Sequence, residues 1–156
     1  GMIYVNIQTD PGKLVAVDAK SLAVKAAWTL AGCSYPTGLA ADPDHRRLFS
    51  SCANQIMTVT DASSGKQVAH PGIGSGSDGA AFDPDLALAF SSNGIDGTLT
   101  VIHEDSPSKF TVVEKVPEGG AARTCAVDEK THKVYVFYYE GNPRQGGKLL
   151  ASVLAP

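Results

Sequence analysis

The sequence predicts an all-β protein built from a repeated four-stranded unit, and three observations carry that prediction. The stretch GLAADPDHRRLFSS, Gly38 to Ser51, returns as GAAFDPDLALAFSS, Gly79 to Ser92, with eight of fourteen positions identical at an offset of 41. An aspartate stands seven residues before an aromatic three times, as Asp42 and Phe49, Asp83 and Phe90, Asp128 and Tyr135. After each aromatic come a turn and a run of alternating apolar and polar residues, the period-two pattern of a half-buried strand. Self-similarity at about 40 to 45 residues with four short strands per unit is the mark of a β-propeller blade. The chain therefore reads as a propeller segment of about 3.5 four-stranded antiparallel blades.

The elements follow in order. MIYVNI, near residues 2 to 7, carries Tyr4 as a fourth aromatic, so the chain reads as starting inside a unit. KLVAVD, near 13 to 18, alternates cleanly. The next segment, SLAVKAAWTLA from Ser21, is rich in helix formers and offers Ser21 as a cap. Its repeat equivalents KQVAH and TVVEKV favour a strand, near 23 to 30, because tertiary pairing overrides propensity. These three strands make a partial blade, residues 2–35. A full blade follows at 36–77, with its strands between about 36 and 73, in the runs TGLAAD, RLFSS, QIMTVTDA and KQVAHPGI. The next occupies 78–121, with DGAAFD, LAFSS, TLTVIHE and KFTVVEKV ending near 117. A last partial blade, 122–156, holds strands near 123 to 128, 133 to 139 and 147 to 154. Together they form one domain, 1–156. The Ala-, Gly- and Cys-rich first strands suit the crowded channel wall, and Phe49, Phe90 and Tyr135 suit the widening space between blades. Asp-Pro-Asp makes a tight turn, since Asp bonds its own downstream backbone and Pro presets φ.

Composition excludes several classes of function. A formal charge of -3 argues against nucleic acid and anionic membranes, which need clustered Lys and Arg. Arg46-Arg47 and Lys130 to Lys133 are short, interrupted clusters. No apolar run approaches the roughly eighteen residues of a membrane span, and no secretory leader opens the chain. The initial Gly-Met reads as a cloning scar, so the native leader stays open. Cys33, Cys52 and Cys125 match no zinc spacing and no disulfide framework, and buried free thiols are expected.

GSGSDG, Gly74 to Gly79, satisfies the dinucleotide pattern G-x-G-x-x-G, but that pattern needs a helix after it, and here a strand follows. It reads as an inter-blade loop. His45, His70, His103 and His132 fall at different repeat positions without ligand spacing and read as surface polar residues. The Asp-Pro-Asp carboxylates read as turn formers. No metal, cofactor or catalytic set is expected. Five residues before the repeated Asp stand Thr37, Asp78 and Arg123, each at the entrance to a first strand, where a propeller opens its funnel. With the flanking Tyr35 and Ser77 they are the candidate ligand-facing residues.

KLVAVDAKSLAVKAAWTL resembles the third-strand, turn and fourth-strand pattern of the YVTN-type β-propeller repeat proteins of bacteria and archaea, a WD-repeat-like family. GLAADPDHRRLFSSC and THKVYV resemble that family's passage into the next second strand. GGKLLASVLAP resembles its carboxyl terminus, which implies the C-terminal half of a seven-bladed propeller. The resemblance further implies a periplasmic or extracellular protein that acts as a non-catalytic scaffold for a protein or small-molecule ligand. The alternative is an enzyme or enzyme fragment, since related propellers include lactonases and quinone- or haem-dependent oxidoreductases. Lactonase chemistry needs a funnel metal, and Asp78 alone supplies a carboxylate there. A half-propeller leaves blade faces open, so self-association into a homodimer that approximates a closed ring is expected.

Overall fold

A computed structural model of the chain describes residues 1–118, 121–141 and 146–155, with no helix among them. Four antiparallel sheets follow one another, each a meander whose strands lie in sequence order. The first holds β1 (Met2–Ile7), β2 (Gly12–Asp18) and β3 (Val24–Leu30). The second holds β4 (Pro36–Asp42), β5 (Arg47–Cys52), β6 (Ile56–Asp61) and β7 (Gln67–Ala69), and the third holds β8 (Ser77–Asp83), β9 (Leu88–Asn93), β10 (Thr98–Ser106) and β11 (Lys109–Pro117). The last holds β12 (Ala122–Asp128), β13 (Lys133–Glu140) and β14 (Lys148–Leu154). This is the expected all-β propeller architecture. The expected end of the last unit, residue 156, lies outside the described residues.

Local chemistry explains each departure from a uniform blade. β3 is a strand despite its helix formers, because pairing with β2, Leu14 opposite Trp28 and Val15 opposite Ala27, supplies partners that a helix could not place. β7 is three residues long, since Pro71 lacks an N–H and interrupts the ladder, which resumes as a single bridge between Ile56 and Gly72. The Pro71 carbonyl still accepts from Met57 N at 2.9 Å. The Asp turns form as expected. Asp42 accepts from Asp44 N and His45 N, Asp83 from Asp85 N and Leu86 N, and Asp128 from Lys130 N. The fifth residue of each turn, Arg46, Ala87 and His132, has φ between 52° and 57°.

β4, β8 and β12 lie side by side as the inner strands. Their approach depends on glycine. A Cβ on Gly38 would stand 2.4 Å from Ala80 N, and one on Gly79 would stand 2.8 Å from Cys125 N. Farther out, Phe49 is fully buried and stacks on Phe82 of the next blade at 5.0 Å between centroids. Phe90 repeats this role one seam later, among Cys125, Val134 and Val136. At the outer part of the first seam, half-buried Trp28 covers Gly65, where a Cβ would meet the indole at 2.2 Å.

Two faces are left uncovered. Ile3, Val5 and Ile7 of β1 are 45%, 40% and 39% exposed. On the last sheet Tyr135, Phe137 and Tyr139 stand opposite Val153, Ala151 and Leu149 in register, and Leu149 and Val153 are exposed.

The cysteines correct the sequence expectation. Cys33 and Cys52 form a disulfide across a separation of 19 residues, and Cys125 alone is a buried thiol, pushed up to about 11 by burial. The reason is the β4–β5 hairpin, which sets Pro36 opposite Cys52 and so brings the preceding linker beside the end of β5. Linear spacing carries no trace of that register.

Candidate functional site: a charged cleft at the inner strand entrances

Each inner strand is entered through a residue in the left-handed region: Tyr35, Gly76 and Ala121, at φ 47°, 69° and 57°. The kink sets the second residue of each strand, Thr37, Asp78 and Arg123, at equivalent places on one rim. The structure uses them differently. Thr37 Oγ1 donates to Ser77 O at 2.9 Å, tying the second blade to the third. Ser77 is buried, and its hydroxyl donates to Cys52 O at 3.0 Å. Asp78 and Arg123 face each other across the next seam, with Arg123 Nη1 3.7 Å from Asp78 Oδ2 and side chains 43% and 59% exposed.

These two line a cleft of about 290 Å³ with Gly76, Ser77, Gly94, Ile95 and Ala121. Ile95 stands at its lip, 81% exposed. Of the five residues expected on the rim, Ser77, Asp78 and Arg123 come together, while Thr37 and the exposed Tyr35 lie outside the lining. An ion pair this solvated contributes only about 0–1 kcal/mol. Arg123 can therefore exchange Asp78 for an incoming anionic group at small cost. The Ser77 hydroxyl is already committed to Cys52 O, and the charged groups that the described residues bring to the cleft are Asp78 and Arg123. The Gly74–Gly79 segment runs into β8, and no helix N-terminus is there to hold a phosphate.

At the opposite end of β4 the structure gathers a residue read as a turn former, Asp42, one read as a surface polar group, His45, and one the sequence reading did not single out, Glu104. Asp42 ends the strand, His45 sits in the turn, and Glu104 arrives from β10 of the next blade. His45 Nδ1 lies 2.9 Å from Asp42 Oδ2 and 3.2 Å from Glu104 Oε1, while the carboxylate side chains are 2% and 1% exposed. Among the described residues neither Glu104 carboxylate oxygen has a hydrogen-bond partner, because His45 is close without being aligned. Burial first, and then the Asp42 charge, raise the Glu104 carboxyl to about 7.

A signal for Glu104 exists in the repeat. The amides of Ala19, Ala62 and Glu104 each donate to the left-handed turn position or its counterpart, at Gly1 O, Arg46 O and Ala87 O. Glu104 thus replaces alanine at a position that the other two units keep small. At the following seam His132 Nδ1 meets Asp83 Oδ2 at 2.9 Å. Two of the four histidines expected as surface residues therefore bridge blade seams.

No protein-family model and no curated protein matches this chain. Solved structures do match. Hydrazine synthase of Kuenenia stuttgartiensis superposes with a TM-score of 0.78 at 14% identity over 99% of this chain and 46% of its own. The mitotic checkpoint complex gives 0.77 at 16% identity over 99% and 46%. Dihydro-heme d1 dehydrogenase NirN in complex with DHE gives 0.66 at 18% identity over 97% and 34%. This chain thus spans less than half the length of each. At such identities the likeness concerns architecture alone, and with the four meandering sheets it establishes an all-β, propeller-type fold.

Proposed function

We propose that the protein is a non-catalytic propeller scaffold that binds a protein or small-molecule ligand at the inner rim. The observation that carries this reading is the half-exposed Asp78–Arg123 pair, set across a seam beside the exposed Ile95. An apolar anchor next to a guanidinium of low commitment suits a ligand presenting an apolar group and a carboxylate. Screening short carboxylate-terminated peptides by amide NMR tests it. Shifts should concentrate at residues 76–79, 94–95 and 121–123 and vanish in Arg123→Ala. Shifts confined to another surface, or unchanged affinity in that variant, would sink the proposal.

Export to the periplasm or cell surface belongs to the same reading. The YVTN-type resemblance motivates it, and the Cys33–Cys52 disulfide supports it, because such bonds persist in oxidising compartments. Self-association into a ring-like homodimer accounts for the two uncovered faces. The aromatic face of the last sheet offers Tyr135 and Phe137 to the Ile3, Val5 and Ile7 face of a second copy, much as Phe49 meets Phe82 within the chain. A protein partner also accords with a structural neighbour that is part of a checkpoint complex.

A second reading, an enzyme fragment, is favoured by one observation: the similar structures include a synthase and a dehydrogenase. Lactone hydrolysis or redox turnover by the purified chain, lost in Asp78→Asn, would replace the scaffold reading with this one.

A further inference from the structure

The cluster at the far end of β4 has no part in the rim site, and its chemistry points elsewhere. Asp42, His45 and Glu104 each direct one ligating atom into a common space, with all three atoms within 4.8 Å of one another. Two carboxylates are buried there together. The cation beside them, Arg47, is already bound to Asp61 at 2.7 Å and to Pro107 O at 2.6 Å. Buried carboxylates ordinarily have hydrogen-bond partners, and an uncompensated one costs several kcal/mol. Both oxygens of Glu104 lack them among the described residues.

We infer that Asp42, His45 and Glu104 bind a divalent transition cation of the zinc class across the seam of the second and third blades, leaving one coordination position open. A tetrahedral ion with ligands at about 2.1 Å holds its donor atoms about 3.4 Å apart. The 2.9 and 3.2 Å separations from His45 Nδ1 are close to that spacing. An imidazole with two carboxylates suits zinc, whereas calcium asks for six to eight oxygens. Access comes from the half-exposed His45 side. Among the described residues the other seams lack the set. Leu86 and Thr131 stand at the turn position of His45, and Ala62 stands at the place of Glu104. The ion would fasten two blades together and keep a position for water or a ligand atom.

Calorimetric titration of zinc chloride into the chelator-stripped full chain tests this. One ion per chain is expected, with weaker heats for calcium. Glu104→Ala carries the residue type of Ala19 and Ala62 and should fold. It should weaken zinc at least about 100-fold, beyond the loss typical of residues that only support a ligand. His45→Thr, the residue type of Thr131, changes a half-exposed side chain and should do the same. A parallel melt should show zinc raising the melting temperature of the natural chain and of neither variant. Absence of zinc binding by the natural chain at sub-millimolar ion overturns the inference. So does zinc affinity unaltered in both variants, or calcium binding as tight as zinc.

Discussion

A methyl group at Gly38 would have to displace backbone rather than side chain, since Ala80 N and Gly79 C lie 2.4 Å from where it would stand. Gly38→Ala is expected to cost about 1–3 kcal/mol, the usual penalty of overpacking, and a melting curve will show it. Glu104 behaves oppositely. Its carboxyl holds its proton up to about 7 in the folded chain against 4.5 ordinarily, so the folded state binds that proton more tightly than the unfolded one. With chelator present, stability should therefore fall as pH climbs from 4.5 to 7, and Glu104→Gln should flatten that slope. Denaturant melts across this range check it; parallel slopes in the two proteins would remove the buried charge from the account. Asp78 and Arg123 were visible as a column because strand entrances repeat. Glu104 was not, because its partner Asp42 lies 62 residues upstream and reads as a turn former. Only alignment of the third-strand ends exposes the change from alanine.

Elements were legible where the period-two pattern was strong. RLFSSC and LAFSSN became β5 and β9 with their buried Phe49 and Phe90. β3 needed its repeat equivalents to outweigh helix formers, and β7 came out shorter than KQVAHPGI suggested because of Pro71. The disulfide was illegible, since it depends on the register of the β4–β5 hairpin. Closing a loop of this length contributes on the order of 3 kcal/mol through the unfolded state. Reduction should therefore lower the melting temperature by roughly 5–10 °C. Calorimetry with and without reductant measures this, and Cys52→Ser in unreduced buffer should reproduce the loss. Cys125, with its thiol pushed up to about 11 by burial, should resist alkylation until the chain unfolds.

At the scale of the whole molecule, the main strand contacts among the described residues run within a blade or between sequence-neighbouring blades, so stability is approximately a sum of blade and seam terms. The outermost blades each present one uncovered face. Light scattering on the 16.2 kDa chain should give twice that mass at micromolar concentration; a persistent single-chain mass would mean that further blades or another partner cover those faces. Trp28, resting on Gly65, is the single tryptophan of the chain. Its emission consequently reports one seam, that between the first and second blades, and is blind to the other two. If the end blade peels away first, the red shift of that emission will complete at lower denaturant than the loss of the far-ultraviolet strand signal. Coincident midpoints would instead describe a segment whose seams open together, and a bound partner at the first face should delay the optical transition alone.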